Sequence, residues 1–259
     1  MDKKKVLDIE NKNQEFESLD RKLSLLNNRL LALAMDYKHY IDSSMDENKI
    51  YKLRDNIQFR LFASKFHIQL LFNHITYVER IIEENTKFQT KESNPGFVNT
   101  TPFAQQVTSL FDSFIYHTVS VFDYLGTITN YISGVKKEKN LMWTQLAKSV
   151  RDKNNPFSKT EFSQIVDQID REFLSKLYDY RAELIHRDSD FGGFTVVHSL
   201  GYYEKVTSTF FAGKKLIQNF KKLRELNLEN DITIRYVAIW IINESIEKIT
   251  DFLFAMKKE

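Results

Sequence analysis

The sequence predicts an all-α protein, a helical bundle with two long N-terminal helices and one small β-hairpin insert. Only three prolines and seven glycines interrupt 259 residues, so long helices can continue unbroken. Apolar residues recur every three or four positions along most of the chain, which is the spacing of one helix face. Only 194–211 is rich in β-branched and aromatic residues. These features favour a single helical domain over residues 1–259.

The first two helices are predicted to form a hairpin over 14–88. A first helix over about 14–44 follows from one apolar stripe, formed by Leu19, Leu23, Leu26, Leu30, Leu33 and Tyr37. After the polar residues 42–46, a second helix is predicted over about 47–88. Its middle is apolar on most sides, which is typical of a central, buried helix. The residues concerned are Phe59, Leu61, Phe62, Phe66, Ile68, Leu70, Leu71 and Phe72.

The remaining helices are predicted over 103–257. The loop 90–102 holds two of the three prolines and is the clearest break in the chain. Beyond it, apolar spacing predicts a third long helix over about 103–134 and a short helix over about 141–150.

The C-terminal third contains a helical run, the hairpin and a last helix. Ser158 and Glu161 have the spacing of an N-terminal capping box, which predicts one or two helices from there to about residue 187. Alternation on both sides of Gly201 predicts the small hairpin. A last helix is predicted from about residue 231 to the end of the chain.

Composition limits the classes of function. The chain has no cysteine, which excludes disulfides and thiolate metal sites and fits a reducing, cytoplasmic location. No segment has the apolar length of a signal peptide or a membrane span. The net charge of +2 is too small to indicate nucleic acid by itself. The densest basic cluster is interpreted as a solvated face, with a nucleic-acid contact as the alternative; it comprises Lys214, Lys215, Lys221, Lys222 and Arg224.

Common cofactor and metal motifs are absent. Gly192 and Gly193 lack the spacing and the lysine of a phosphate-binding loop. His67 and His74 share a helix face, but two histidines without neighbouring carboxylates make a poor metal site. We therefore expect neither a cofactor nor a metal ion.

The segment YRAELIHRD, residues 180–188, places a charge among apolar side chains. Arg181 falls in the apolar stripe of its helix with Leu177 and Ile185, so its guanidinium must be paired or must face a polar groove. His186 follows five residues later, about 140° round the helix and roughly 7.5 Å along it. Two interpretations stay open: the pair acts on a phosphate backbone, or Arg181 forms an internal salt bridge and His186 merely ends a helix.

Two further patterns bear on this choice. Arg60 and His67 fit the same loose spacing on one face of the second helix, and they are interpreted as core residues. On the third helix, four polar residues fall within about 40° of one another; they are Asp112, Tyr116, Asp123 and Asn130. This strip either faces solvent or faces the Arg181 helix, and in the second case we expect Asp123 to orient the guanidinium.

The Arg181 and His186 pair lies near a helix end, after a long helix carrying FDSFIYHTVSVFDYLGTITNYI. This arrangement resembles the HEPN superfamily (higher-eukaryote and prokaryote nucleotide-binding domains), marked by an arginine followed four to six residues later by histidine. The resemblance covers the HEPN-like core, 103–257, and makes 14–88 an elaboration. Ala182 departs from the pattern, because active members commonly have a polar residue after the arginine.

The resemblance implies a metal-independent endoribonuclease of the toxin or phage-defence kind, with a site shared across a homodimer. RNA carries its own nucleophile, the 2′-hydroxyl, so a proton carrier and a cation suffice. His186, with an ordinary pKa of about 6.5, would move the proton. Arg181 would grip the scissile phosphate, leaving 2′,3′-cyclic phosphate ends. The alternative is a catalytically inactive module that binds RNA, nucleotide or a protein partner such as an antitoxin.

Overall fold

A computed structural model describes residues 4–40, 47–87, 101–132, 141–186, 191–199 and 205–256, with side chains over 4–36, 49–84, 102–132, 141–183 and 209–256. Helices make up most of this part of the chain, which confirms the all-α prediction. Buried apolar side chains from Phe16 to Met256 form one hydrophobic cluster. None of the helices within these ranges is both long enough and apolar enough to cross a membrane.

The helices are α1 (Lys12–Tyr40), α2 (Glu47–Lys87), α3 (Thr101–Ile132), α4 (Trp143–Arg151), α5 (Ser163–Ile169), α6 (Ser175–His186), α7 (Lys214–Asn219), α8 (Lys221–Glu229) and α9 (Ile234–Ala255). The strands are β1 (Lys5–Leu7), β2 (Phe191–Ser199), β3 (Lys205–Ala212) and β4 (Asn230–Ile232). β2 and β3 are antiparallel and form the predicted hairpin, although its turn at Gly201 lies outside the described residues. β1 pairs in parallel with β4, a contact that the sequence did not indicate.

The three long helices lie close to their predicted positions. The helix predicted over 14–44 is described as α1, and the polar break at 42–46 lies outside the described residues. α2 and α3 pack along much of their lengths, and the Ser64 and Thr118 hydroxyls share a buried hydrogen bond of 3.2 Å between them. Most of the predicted loop 90–102 is likewise not described, and its last two residues already belong to α3.

The predicted burial of α2 is wrong on one side. Leu61 and Ile68 are buried, but Phe59, Phe62 and Phe66 are 60%, 65% and 45% exposed. α1, α3, β3 and α9 pack against α2 and leave these phenyl rings open to solvent. Apolar composition alone could not separate the covered sides from the open one, because it does not say how many neighbours a helix has.

The predicted capping box at Ser158 and Glu161 does not form. The segment Pro156–Lys159 is a short 3-10 helix, and the side chain of Asn155 caps it by accepting from the Phe157 backbone N–H. The Ser158 hydroxyl instead donates to the carbonyl of Asn155 at 2.8 Å. α5 therefore begins after this turn and has no side-chain cap.

The helical run to residue 186 is continuous but not uniform. Between α5 and α6, Asp170–Leu174 forms a π-helical turn. Asp170 is buried there and accepts from Trp143 Nε1 at 3.1 Å and from Arg151 Nη2 at 2.6 Å. These bonds fix the start of α6 against α4, and α6 then packs on α3.

The N-terminal segment is bound to the start of α9. Asp8, just after β1, accepts from the Thr233 hydroxyl at 2.7 Å and from Arg235 Nη2 at 2.7 Å. Arg235 also donates to Glu79 of α2 at 2.9 Å. One polar cluster thus joins the N-terminal segment, α2 and α9. In the chain, α7 and α8 precede β4, which leads into α9.

Candidate functional site

Arg181 lies where α6 packs against α3. Its guanidinium Cζ is 4.7 Å from the centre of the Tyr116 ring, within the range of a cation–π contact. The side chain is half-buried, and its Nε is buried without a hydrogen-bond partner among the described residues. An unsatisfied buried donor costs about 1–3 kcal/mol. Because this atom has almost no exposed surface, a ligand from solvent can reach only the exposed part of the side chain and not Nε.

The polar strip of α3 lies beside this guanidinium. Asp112 is one turn before Tyr116 and Asp123 is two turns after it, on the same helix face. Burial raises the pKa of both carboxyl groups, and the positive charge of Arg181 offsets part of each rise. The strip therefore faces α6, which was one of the two alternatives that the sequence left open.

Asp123 is held mainly by residues other than Arg181. The Tyr178 hydroxyl donates to its Oδ1 at 2.6 Å, and the backbone N–H of Trp143 also bonds to it. Gly126 allows this approach, because a Cβ there would lie 2.8 Å from Trp143 N. Among the described residues no hydrogen bond joins Asp123 to Arg181, so the carboxylate acts on the guanidinium through its charge.

Of the other predicted site residues, Asn130 lies far from Arg181, and the side chain of His186 is not described. Asn130 is buried on α3, 14 residues beyond Tyr116 and thus roughly 21 Å further along the axis. It is too far from the guanidinium to support it directly. His186 is the last residue of α6, and its side chain lies outside the described side chains. Its pairing with Arg181 stays a prediction.

A second basic group borders the same tyrosine ring. Arg60 Cζ is 5.2 Å from the Tyr116 centroid, so this ring has two guanidinium groups against it. Arg60 Nη1 donates to His117 Nδ1 at 2.9 Å, and the His117 ring is 4.9 Å from that of His67. Arg60 and His67 are half-buried at the edge of the protein, so their interpretation as core residues is wrong.

The partners of the two histidines determine which ring nitrogen carries hydrogen. Arginine can only donate, so His117 Nδ1 is unprotonated and a neutral His117 carries its hydrogen on Nε2. The carbonyl of Ala63 can only accept, so His67 Nδ1, 2.8 Å away, carries a hydrogen. Burial, then the nearby His67 and Arg60, lower the pKa of His117 to about 4. His117 is therefore neutral at pH 7.

Sequence reasoning missed this group because its members come from two helices. The shared face of Arg60 and His67 was visible from their spacing, but their neighbour His117 follows only from the register of α2 against α3. The basic cluster of α7 and α8 is a separate region. Its Lys222 and Lys221 form ion pairs with Glu244 (3.0 Å) and Glu225 (3.7 Å), as expected for a solvated basic face.

Comparisons of the chain with models of known protein families, with curated proteins and with solved structures found no match to any of them. Within the described ranges, no group of three or more His, Asp or Glu side chains is arranged to hold a metal ion. What the protein does must therefore be inferred from the chemistry of its own residues.

Proposed function

We propose that the protein is a metal-independent endoribonuclease with Arg181 and His186 as its catalytic residues. The observation that supports this most directly is that the half-exposed Arg181 guanidinium lies on the Tyr116 ring, against which the Arg60 guanidinium also packs. The planar fork of an arginine matches the oxygens of a phosphate. Two partly exposed guanidinium groups side by side therefore favour the binding of a polyanion. The resemblance of the Arg181 and His186 spacing to HEPN proteins points to RNA as that polyanion.

The proposed reaction uses the nucleophile of the substrate. The 2′-oxygen attacks the adjacent phosphorus while the bond from phosphorus to the 5′-oxygen breaks, giving a 2′,3′-cyclic phosphate and a 5′-hydroxyl end. His186 of one subunit takes the proton of the 2′-hydroxyl, Arg181 comes from the two-fold partner, and a water molecule protonates the leaving 5′-oxygen. Arg181 stabilises the charge that develops on the non-bridging oxygens.

The carboxylates of α3 have a positioning role in this proposal. Asp123, fixed by Tyr178, and Asp112 lie on the strip facing Arg181 and favour its guanidinium through their charge. Arg60 adds a second cation and makes no salt bridge with a carboxylate within the described chain. The two guanidinium groups and the two carboxylates balance in formal charge, so in this proposal the phosphate is bound by the guanidinium groups themselves and not by a net positive charge of the site.

The test is cleavage of mixed cellular RNA by the purified protein, with and without a chelator. We expect cleavage that resists the chelator, fragments with cyclic phosphate ends, and its loss in Arg181→Ala and His186→Ala. Arg181→Lys is also impaired, because an ammonium lacks the planar fork. Arg171→Ala is the matched control, since Arg171 is an exposed arginine ten residues earlier that pairs with Asp167. Cleavage that persists in His186→Ala contradicts the proposal.

The biological form of this proposal is a toxin or phage-defence ribonuclease that acts as a homodimer in the cytoplasm and is restrained by an antitoxin or another protein. Expression of the wild-type chain then slows the growth of its host, and His186→Ala relieves the effect. Unchanged growth with intact, folded protein argues against a toxin.

A binding module without catalysis is the second candidate. One observation favours it: Ala182, next to Arg181, is exposed and offers no polar group to the site. In that case the wild-type protein binds RNA or nucleotide without cutting it, and Arg181→Ala weakens binding. Quantitative binding and cleavage on the same RNA sample separate the two candidates.

A further inference from the structure

We propose that α2 carries a stacking platform for single-stranded RNA, formed by Phe59, Phe62 and Phe66 and joined to the Arg181 site through Arg60 and Tyr116. The proposal rests on the proposed function, because it names the form of RNA that the same site accepts. Nothing in the Arg181 and His186 spacing indicates this surface, which lies on the N-terminal pair of helices.

The three phenylalanines form one exposed row. They are spaced three and four residues apart, so they lie on the same face of α2. The first and last are about 10 Å apart along the helix axis, which is about three base-stacking steps of roughly 3.4 Å. Soluble proteins seldom leave such contiguous aromatic surface in water without a binding role.

At the Phe59 end of the row, the charges favour a polyanion over an apolar protein surface. Residues 56–78 of α2 contain no carboxylate but include Arg60, Lys65 and two histidines, whereas Glu17 and Asp20 of α1 lie beside Phe66 at the other end. Lys65 is paired with Asp20 of α1, whereas Arg60 has no carboxylate partner within the described chain. Aromatic rings beside an unpaired arginine are the features with which proteins bind single strands, the rings for bases and the cation for phosphate.

The row continues directly into the proposed catalytic site. Arg60 Cζ is 5.8 Å from the Phe59 ring and 5.2 Å from the Tyr116 ring, and the Tyr116 ring in turn contacts Arg181. A strand with its bases on the phenyl rings can therefore place successive phosphates at Arg60 and Arg181. Only unpaired bases expose a face to such rings, because bases in a duplex already stack on one another.

The probe is a fluorescently labelled 2′-O-methyl RNA 12-mer, single-stranded or in a duplex with its complement. Its 2′-oxygen is blocked, so it binds without being cut. Anisotropy titrations with the full-length protein are expected to show tighter binding of the single strand. Phe59→Ala and Phe62→Ala should each weaken that binding about 5- to 150-fold, the range of one lost base–aromatic stack.

Two further variants guard against a general loss of structure. Phe62→Trp keeps an aromatic face and should retain wild-type affinity. Phe254→Ala removes an exposed phenyl ring that lies 4.5 Å from Arg29 on another part of the surface, and it should change nothing. Circular dichroism confirms that each variant keeps its helices, which is expected because the substituted rings are exposed.

Several results overturn the platform. Equal affinity for single strand and duplex does so, as does unchanged affinity in both Phe→Ala variants. If the same variants convert a dimer to a monomer by light scattering and RNA affinity is unchanged, the row joins two copies of the chain instead. Failure of the proposed function is a different result: unmodified RNA stays intact while binding of the blocked strand still depends on Phe59 and Phe62.

Discussion

At His117, burial and two neighbouring residues all lower the pKa of one imidazole. Burial disfavours its charged form, and His67 and Arg60 add repulsion, so its pKa falls from 6.5 to about 4. We predict that the ring resonances of His117 titrate near pH 4 in an NMR experiment on the folded protein. Arg60→Gln removes one of the cations and should move the midpoint upward. A midpoint near 6.5 in the wild-type protein would contradict this environment.

The same shift predicts how stability depends on pH. Because the folded-state pKa is lower than the unfolded value, the unfolded chain binds the proton first as the pH falls. The contribution of His117 to the free energy of unfolding therefore decreases between about pH 6.5 and pH 4. The difference between wild type and His117→Asn isolates this contribution from that of His74, whose pKa is also lowered. A difference that is flat across this window would refute the assignment.

Tyr178 is the residue on which the position of Asp123 depends most. We predict that Tyr178→Phe lowers the free energy of unfolding by about 1–3 kcal/mol, because a half-buried carboxylate loses its 2.6 Å donor. Tyr124→Phe is the control, since the structure gives the hydroxyl of this partly buried tyrosine no hydrogen bond to a described residue; its effect should stay within about 0.5 kcal/mol. Urea denaturation measures both. Equal effects would show that the Tyr178 bond contributes nothing specific.

At the scale of elements, the π-helical turn Asp170–Leu174 sets the direction in which Arg181 points. A π-helical turn contains one residue more than the same length of α-helix. The side chains of the helices before and after it therefore keep the directions that they would have without the extra residue. Deletion of the exposed Glu172 should therefore cost only about 1 kcal/mol, because the run becomes a regular helix. Deletion of the exposed Asp179 instead rotates the buried Tyr180 by about 100° and should cost at least about 3 kcal/mol.

Thermal unfolding of the two deletion variants, followed by binding of the blocked RNA strand, distinguishes these outcomes. The Glu172 deletion should also keep wild-type affinity, since Arg181 stays on Tyr116. Similar losses in both variants would mean that the π turn does not absorb a residue.

The sequence predicted the elements that depend only on residues close to one another in the chain. The leucine stripe of α1 and the apolar stripe of α3 give their helices within a few residues, and the strip at Asp112 and Asp123 was visible from spacing alone. The open face of α2 was not, since Phe59 and a buried phenylalanine have the same composition signal. The capping box failed because Asn155, a better-placed acceptor, capped an earlier turn. The pairing of β1 with β4 depends on residues more than 200 positions apart, which no local pattern records.

At the scale of the whole molecule, the proposed site needs two copies of α6. We predict a particle of twice the 30.7 kDa chain mass by light scattering at micromolar concentration. Mixing Arg181→Ala with His186→Ala protein should then restore part of the cleavage, because each mixed dimer contains one intact set of residues. A monomer at this concentration, or mixtures that stay inactive, would remove the shared site and leave the binding module.

The bond from Asp8 to Thr233 also determines when the protein can finish folding. These residues are 225 positions apart, and translation adds roughly 5–20 residues per second. The N-terminal segment therefore waits on the order of tens of seconds for its partner to leave the ribosome. Until then α1 has no α9 to cover its leucines, and the nascent chain presents apolar surface to the cell. α1 is therefore the part of the chain that stays exposed longest to a chaperone that binds leucine-rich helices.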